Sequence, residues 1–461
     1  MNNWNFSGGS NMAKYFGTDG IRGVVNDALD ANLAFRIGQA AATVLTRDSG
    51  KKPLFTIGKD TRISGDMLES ALIAGLCSAG ADVMLLGIVP TPAVAFVTME
   101  AVADAGIVIS ASHNPFEHNG IKIFNGEGLK LSDELELEME ALIDAPETIA
   151  KCKFADIGHT LDRGREYVDK YIEHVVSAGE GQFSKLKVLI DCANGAASRT
   201  VNEIFGRFPL DIEIIKDHPD GININDNCGS THIDLLGKMV VAGGYDLGIA
   251  FDGDADRCLA VDENGNPVDG DKIMAICAAS MLKKGTLGQN AMVATVMSNL
   301  GLHEYCKGLG IALHCASVGD RNVLEMMLKE GIKLGGEQSG HLIFLDNETT
   351  GDGQLAAVRF LEVISESGKK LSELAGEIPT YPQILLNVPI SGGNEAKKAI
   401  MADEKLKVLI KELEAELKDT GRILVRPSGT EALIRVMVEA MKPETAERCA
   451  NTLVEYIKKP E

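Results

Sequence analysis

The chain has 461 residues, 45% of them apolar and 24% charged, with a net charge of −21. That length is too great for one core and implies roughly three or four domains. The acidic balance argues against nucleic acid or an anionic membrane surface as partner, so an anionic substrate has to be met by local clusters of arginine and lysine.

In chain order, the opening MNNWNFSGGSNM has neither a basic start nor an apolar stretch, so no signal peptide is read there. Met12, just before AKYFGTDGIRG, is a candidate natural start. FGTDGIRG sets Arg22 between glycines, which suits either contact with an anion or a plain turn. PLFTIG is a strand, followed by a helix from about Ser64 to Ala79. ADVMLLGIV, a further helix and the strand AGIVISA complete the first block. The longest apolar stretch, VMLLGIVPTPAVAFV, contains Pro90 and Pro92 and is too short to span a bilayer. LKVLIDCANG, DIEIIKD and YDLGIAF repeat the alternation, as do AMVATVMS, IALHCAS and HLIFL. Apolar strands separated by helices predict parallel or mixed sheets covered on both faces. The last eighty residues differ. One long helix, NEAKKAIMADEKLKVLIKELEAELKD, precedes GRILVRPSGTEALIRVMVEA and a closing helix after Pro443, which reads as a small α+β domain. Gly-rich joints near 158–165, 263–271 and 376–382 are candidate boundaries. Nine cysteines with no C-x-x-C pair fit neither a disulfide framework nor a zinc site, and the expected location is the cytoplasm.

YDLGIAFDGDADRCLAVDENG is the most specific local pattern. In an extended segment Asp252, Asp254 and Asp256 would project to one side. Three crowded carboxylates without His or Cys call for a hard cation, Mg²⁺ or Ca²⁺, and Arg257 adds a fixed positive charge beside it. A calcium hand fails on Arg257, which stands where the loop needs Gly, and on the strands flanking the loop. A solvated acidic loop is the plain alternative.

SASHNPFEHNGIKIF places Ser112 and His113 at the mouth of an apolar strand. A serine needs an activating partner or a metal to carry phosphate. Phosphorylated, Ser112 would supply the ligand that three aspartates leave open, with His113 and Lys122 moving protons or neutralising charge. Taken alone, the segment is more often just a strand-ending turn. VRPSGTEALIR offers a phosphate cradle: Arg426 and Arg435 with forked donors, Ser428 and Thr430 with hydroxyls, Gly429 for close backbone approach. Its alternative is internal pairing with Glu431 and Glu439. GGEQSGHLIF sets Glu337, Ser339 and His341 at alternate positions, which on a strand would face one way and suit the hydroxyls of a polyol. A turn with a buried histidine is the competing reading.

These residues, with KYFGTDGIRG, GKDTRISG, HPDGININDNCGSTH and VGDRNV, make the chain resemble the α-D-phosphohexomutases from Met12 onward. The opening motif, NINDNCGSTH and Gln338 favour the glucosamine branch over the glucose and mannose branches. The resemblance implies four domains around a cleft, three doubly wound mixed-sheet α/β units and a smaller C-terminal α+β domain: a phosphoserine domain over 12–163, a metal domain over 164–264, a sugar domain over 265–377 and a phosphate domain over 378–461. It also implies a phosphoserine at Ser112 that shares Mg²⁺ with Asp252, Asp254 and Asp256. Arg22, His113 and Lys122 would be catalytic helpers, with Arg257 beside the metal loop. Glu337 and Ser339 would hold the sugar, His341 close by, and Arg426, Ser428, Gly429, Thr430 and Arg435 would clamp the idle phosphate. The implied substrate is a small phosphosugar, interconverted between its 6- and 1-phosphates through glucosamine 1,6-bisphosphate toward UDP-N-acetylglucosamine and cell-wall synthesis; a homodimer is allowed. A glucose or mannose phosphomutase shares this machinery, and an aspartyl-phosphate phosphatase using Asp252 is the rival of another class. Ala432, Asn322 and Lys59 depart from the family pattern without removing a charged catalytic group.

Overall fold

A computed structural model describes residues 14–17, 19–47, 49–428 and 432–458. Four sheets follow one another along the chain. The first has seven strands in the order Phe16–Gly17, Gly20–Val24, His118–Asn125, Ala105–Ile109, Leu54–Lys59, Asp82–Ile88 and Thr160–Leu161. Its Leu54–Lys59 strand runs parallel to both neighbours, whereas His118–Asn125 runs antiparallel to Ala105–Ile109, so the sheet is mixed. The second sheet, of five strands, centres on Leu247–Phe251, which pairs in parallel with Lys187–Asp191 and antiparallel with Cys258–Asp262. The third has four strands around Ala291–Thr295, and the fourth three antiparallel strands with Leu433–Ala440 in the middle.

The central strands Ala105–Ile109, Leu247–Phe251 and Ala291–Thr295 are buried along their whole length. Helices cover both faces of such a sheet, which is why these strands read as unbroken apolar runs rather than alternating ones. One continuous apolar core runs from Met84 to Ile378 and joins the first three α/β units. Tyr171, Phe251 and Phe360 within it are fully buried, each side chain contributing roughly 1.5–3 kcal/mol. A second cluster fills the other face of the first sheet, and the C-terminal unit has a cluster of its own between Val388 and Ile457.

The long C-terminal helix expected from the sequence is two helices, Gly393–Ala402 and Glu404–Leu417. Asp403 between them has extended backbone and its carboxylate accepts the Lys405 N–H at 2.9 Å, so it starts the second helix instead of continuing the first.

Candidate active site

The Ala105–Ile109 strand delivers Ser112 to a turn in which its backbone is left-handed, with φ 52°. Such a conformation is strained for a side-chain-bearing residue and needs support from its surroundings. The support is buried. Arg62 pairs with Asp60 and donates to the carbonyls of Ser112 at 3.1 Å and Asn114 at 2.5 Å. Asn225, from the second unit, donates to the same two carbonyls at 2.9 and 3.0 Å. The Ser110 hydroxyl donates to Asp60 at 2.5 Å and accepts the Ser112 N–H at 2.9 Å.

The metal loop meets this turn directly. Ser112 Oγ donates to Asp252 Oδ2 at 2.5 Å. Gly253 permits the approach, because a Cβ there would lie 2.5 Å from the Ser112 carbonyl oxygen. The three aspartates do not alternate along an extended segment as expected. The strand ends at Phe251, the Ala255 N–H bonds back to the Asp252 carbonyl at 3.1 Å, and Ala255 takes φ 56°. That tight turn still brings one carboxylate oxygen of each aspartate within 4.8 Å of the others, all three buried.

This cluster fits a hard cation. Asp254 Oδ1 and Asp256 Oδ1 are buried and have no hydrogen-bond partner among the described residues, a costly arrangement unless a cation occupies the gap. Burial, reinforced by Asp256 and Asp254, pushes the Asp252 carboxyl well above the usual range. Burial would do the same to Asp254, but Lys122 at 2.6 Å and the Thr91 hydroxyl at 2.6 Å hold it below that range. Lys122 also lies 3.3 Å from Asp256 Oδ2. Burial works against the Lys122 charge, yet Asp254, Asp256 and Asp19 together raise its pKa, so it stays an ammonium. His113 Nδ1 sits 3.3 Å from Ser112 Oγ. Burial, then Arg257 and Arg22, lower the His113 imidazole to about 4, leaving it neutral at pH 7. Arg257 Nε stands 3.8 Å from Asp256, and Arg22 donates to Asp19 at 3.2 Å.

Glu337, Ser339 and His341 also depart from the expected extended face. The segment 337–341 is the turn joining the antiparallel strands Leu334–Gly336 and Leu342–Phe344, closed by Gly340 N–H on the Glu337 carbonyl at 2.9 Å. Glu337 accepts the Gly319 N–H at 3.1 Å, Ser339 is exposed, and His341 is 4% exposed, its Nε2 accepting the Gly351 N–H at 3.2 Å. His341 pairs through its backbone with Arg257, joining the sugar-loop turn to the metal loop.

In the C-terminal unit Arg426 and Arg435 are opposite each other on neighbouring strands. Burial and Arg435 lower the Arg426 pKa, while Glu337 of the third unit raises it, so this basic pair lies within electrostatic reach of the sugar-loop turn. Glu439 is engaged with Arg422 at 2.6 Å rather than with the cradle. Ser428 is buried and its carbonyl accepts from Lys397 at 2.7 Å. Gly429 and Thr430 lie outside the described residues. Asp60, Arg62, Ser110 and Asn225 were not among the residues singled out from the sequence, although GKDTRISG and NINDNCGSTH contain three of them.

Comparison with known proteins matches this arrangement from end to end. Four successive family models, described as phosphoglucomutase/phosphomannomutase α/β/α domains I, II and III and C-terminal domain, cover residues 13–150, 165–265, 269–381 and 385–455. A phosphoglucosamine mutase of Acetivibrio thermocellus is 52% identical over 447 residues, spanning 97% of this chain and 99% of its own. The chain belongs to the phosphoglucosamine mutase branch of the α-D-phosphohexomutases. A second phosphoglucosamine mutase, from Limosilactobacillus reuteri, is 52% identical over 94% of this chain and 95% of its own. Among solved structures, a phosphoglucomutase/phosphomannomutase family protein of Burkholderia thailandensis superposes with a TM-score of 0.79 at 24% identity, covering 96% and 97% of the two chains. The N-acetylphosphoglucosamine mutase of Aspergillus fumigatus, solved with GlcNAc-6P and magnesium, gives 0.70 at 18% identity, covering 96% and 95%. At those identities the structures speak for the shared phosphohexomutase fold.

Proposed function

We propose that the chain interconverts glucosamine 6-phosphate and glucosamine 1-phosphate in the cytoplasm, with Ser112 as the phosphoryl carrier and glucosamine 1,6-bisphosphate as the intermediate. The observation that carries this reading is the 2.5 Å bond from Ser112 Oγ into the buried three-aspartate cluster: a strained, supported serine is fixed beside a cation-ready site. Mg²⁺ held by Asp252, Asp254, Asp256 and phosphorylated Ser112 would offset charge on the transferring group.

The chain's own groups supply the rest. O1 of the sugar attacks phosphorus, the bond to Ser112 Oγ breaks with its electron pair going to Oγ, the O1 proton passes to a nearby base, and Oγ takes up a proton to become the free hydroxyl. His113, unprotonated and 3.3 Å from Ser112 Oγ, is within reach for that acceptor role, and protonated Lys122 stabilises charge on the oxygens. Arg22 and Arg257 add fixed positive charge. Glu337 and Ser339 bind sugar hydroxyls, with His341 close by, while Arg426, Ser428, Gly429, Thr430 and Arg435 hold the idle phosphate. The bisphosphate turns over in the cleft, and Ser112 recovers the phosphoryl group from O6.

³¹P NMR of glucosamine 6-phosphate with enzyme, Mg²⁺ and a trace of bisphosphate should show a new 1-phosphate signal. It should vanish on chelation and fall at least about a thousand-fold in rate in Ser112→Ala. Full turnover by that variant would sink the phosphoserine assignment. Preference for glucose or mannose phosphate would transfer the mechanism to a sister substrate, and release of free phosphate alone would favour the phosphatase.

A further inference from the structure

One cation outside the machinery described above ties two domains together at the cleft. Lys130 follows the His118–Asn125 strand through a turn at Gly128 and bridges back to Phe124. Its ammonium lies 2.8 Å from Asp19 Oδ1 in the first unit and 2.6 Å from Asp320 Oδ2 in the third. Each carboxylate leads on to a site residue. The other Asp19 oxygen accepts from Arg22 at 3.2 Å, and the Asp320 oxygen bound by Lys130 lies 3.8 Å from His341 Nε2. The result is a chain of neighbouring side chains, Arg22, Asp19, Lys130, Asp320 and His341, reaching from the metal-side arginine to the sugar-loop turn. The Lys130 and Asp320 side chains are only 18% and 17% exposed, so their attraction is weakly screened compared with a surface pair. Burial lowers the Lys130 pKa, but Asp320 and Asp19 outweigh it and hold the amine charged.

We infer that Lys130 is a positioning residue: by clasping Asp19 and Asp320 it fixes the spacing between Arg22 and His341 across the first and third domains. The inference rests on the mutase reading for its catalytic consequence. A built-in contrast makes it decidable. Arg321 and Asp133 also bridge these two domains, at 2.5 Å, but the pair is open to solvent, 34% and 76% exposed, and leads to no site residue. A generic domain tie would make the two bridges equivalent; a positioning role separates them.

The test compares Lys130→Met, Lys130→Arg and Asp133→Asn with the unsubstituted enzyme, all checked for equal melting temperature. Lys130→Met should lose roughly ten- to hundred-fold in kcat with KM within about three-fold, because misplacement of groups that act in the transition state falls on kcat. Lys130→Arg should recover most of that loss, and Asp133→Asn should turn over normally. Wild-type kcat in Lys130→Met, an equal loss in Lys130→Arg, or an equal loss in Asp133→Asn would overturn the clasp. Absence of mutase turnover in the unsubstituted enzyme would instead defeat the functional reading. The clasp is then decided by hydrogen exchange: amides 318–322 should exchange at least about ten-fold faster in Lys130→Met but not in Asp133→Asn, and unchanged exchange rejects it.

Discussion

Four side chains that touch no substrate in the proposed mechanism hold Ser112 in its left-handed turn. Arg62 carries the largest share, because it neutralises Asp60 and binds two carbonyls of the turn at once. Burial pushes the Asp60 carboxyl up and Arg62 draws it back. Arg62→Leu would leave that carboxylate buried without its partner, a loss of about 3–5 kcal/mol. A matching drop in the denaturation midpoint, with Ser112 phosphorylation in intact-mass spectra falling alongside, is the expected result; unchanged phosphorylation would show that the turn holds itself. The serine, the three aspartates and the paired arginines were legible in the sequence because their chemistry is local: like charges crowded at short spacing, or hydroxyls and guanidinium groups around a glycine. Arg62 and Asn225 were not. Their partners are carbonyls 50 and 113 residues away, and a donor to a distant backbone oxygen has no signature around it.

At the scale of elements, sheets and helices followed the apolar runs closely, and the errors fall where the chain turns. Two segments are turns whose side chains converge because the backbone doubles back: 252–256, read as an alternating face, and 337–341, for which a turn with a buried histidine was the competing reading and is the one found. Period-2 spacing is the same in both cases, so only the φ of Ala255 or Gly340 distinguishes them. The break at Asp403 escaped for a related reason, since apolar residues continue at helical spacing through it. Its carboxylate both caps the second helix and accepts from Tyr456 at 2.6 Å. Asp403→Ala should therefore loosen the start of the second helix, read as faster hydrogen exchange across Glu404–Leu417, while Asp403→Asn should stay near the parent. Equal protection in both variants would remove the cap from the account.

At the scale of the molecule, the third and fourth units meet through buried polar groups. Asn299 exchanges two hydrogen bonds with the backbone of Tyr381, and Glu439, fully buried, accepts from Leu300 N–H and Arg422 while Arg422 also donates to the Ser298 carbonyl. Asp271 lies beside this junction and accepts the Asn299 N–H at 2.7 Å. Burial, then Asp269 and Glu439, push its carboxyl to about 7. A folded-state pKa above the unfolded value means that the folded chain holds the extra proton between about pH 4 and 7, so stability falls as pH rises through that window. Asp271→Asn should flatten this dependence and raise the melting temperature at pH 8 more than at pH 5; an unaltered slope would assign the effect elsewhere. The continuous core from Met84 to Ile378 carries a consequence for synthesis. The first sheet cannot finish covering its inner face until the helix Gly164–Ser177 arrives, and that helix packs in turn on Gly353–Ser367. A nascent chain must therefore wait for the helix Gly353–Ser367 to emerge before the core shared by its first three units is sealed, whereas the last unit closes on a core of its own.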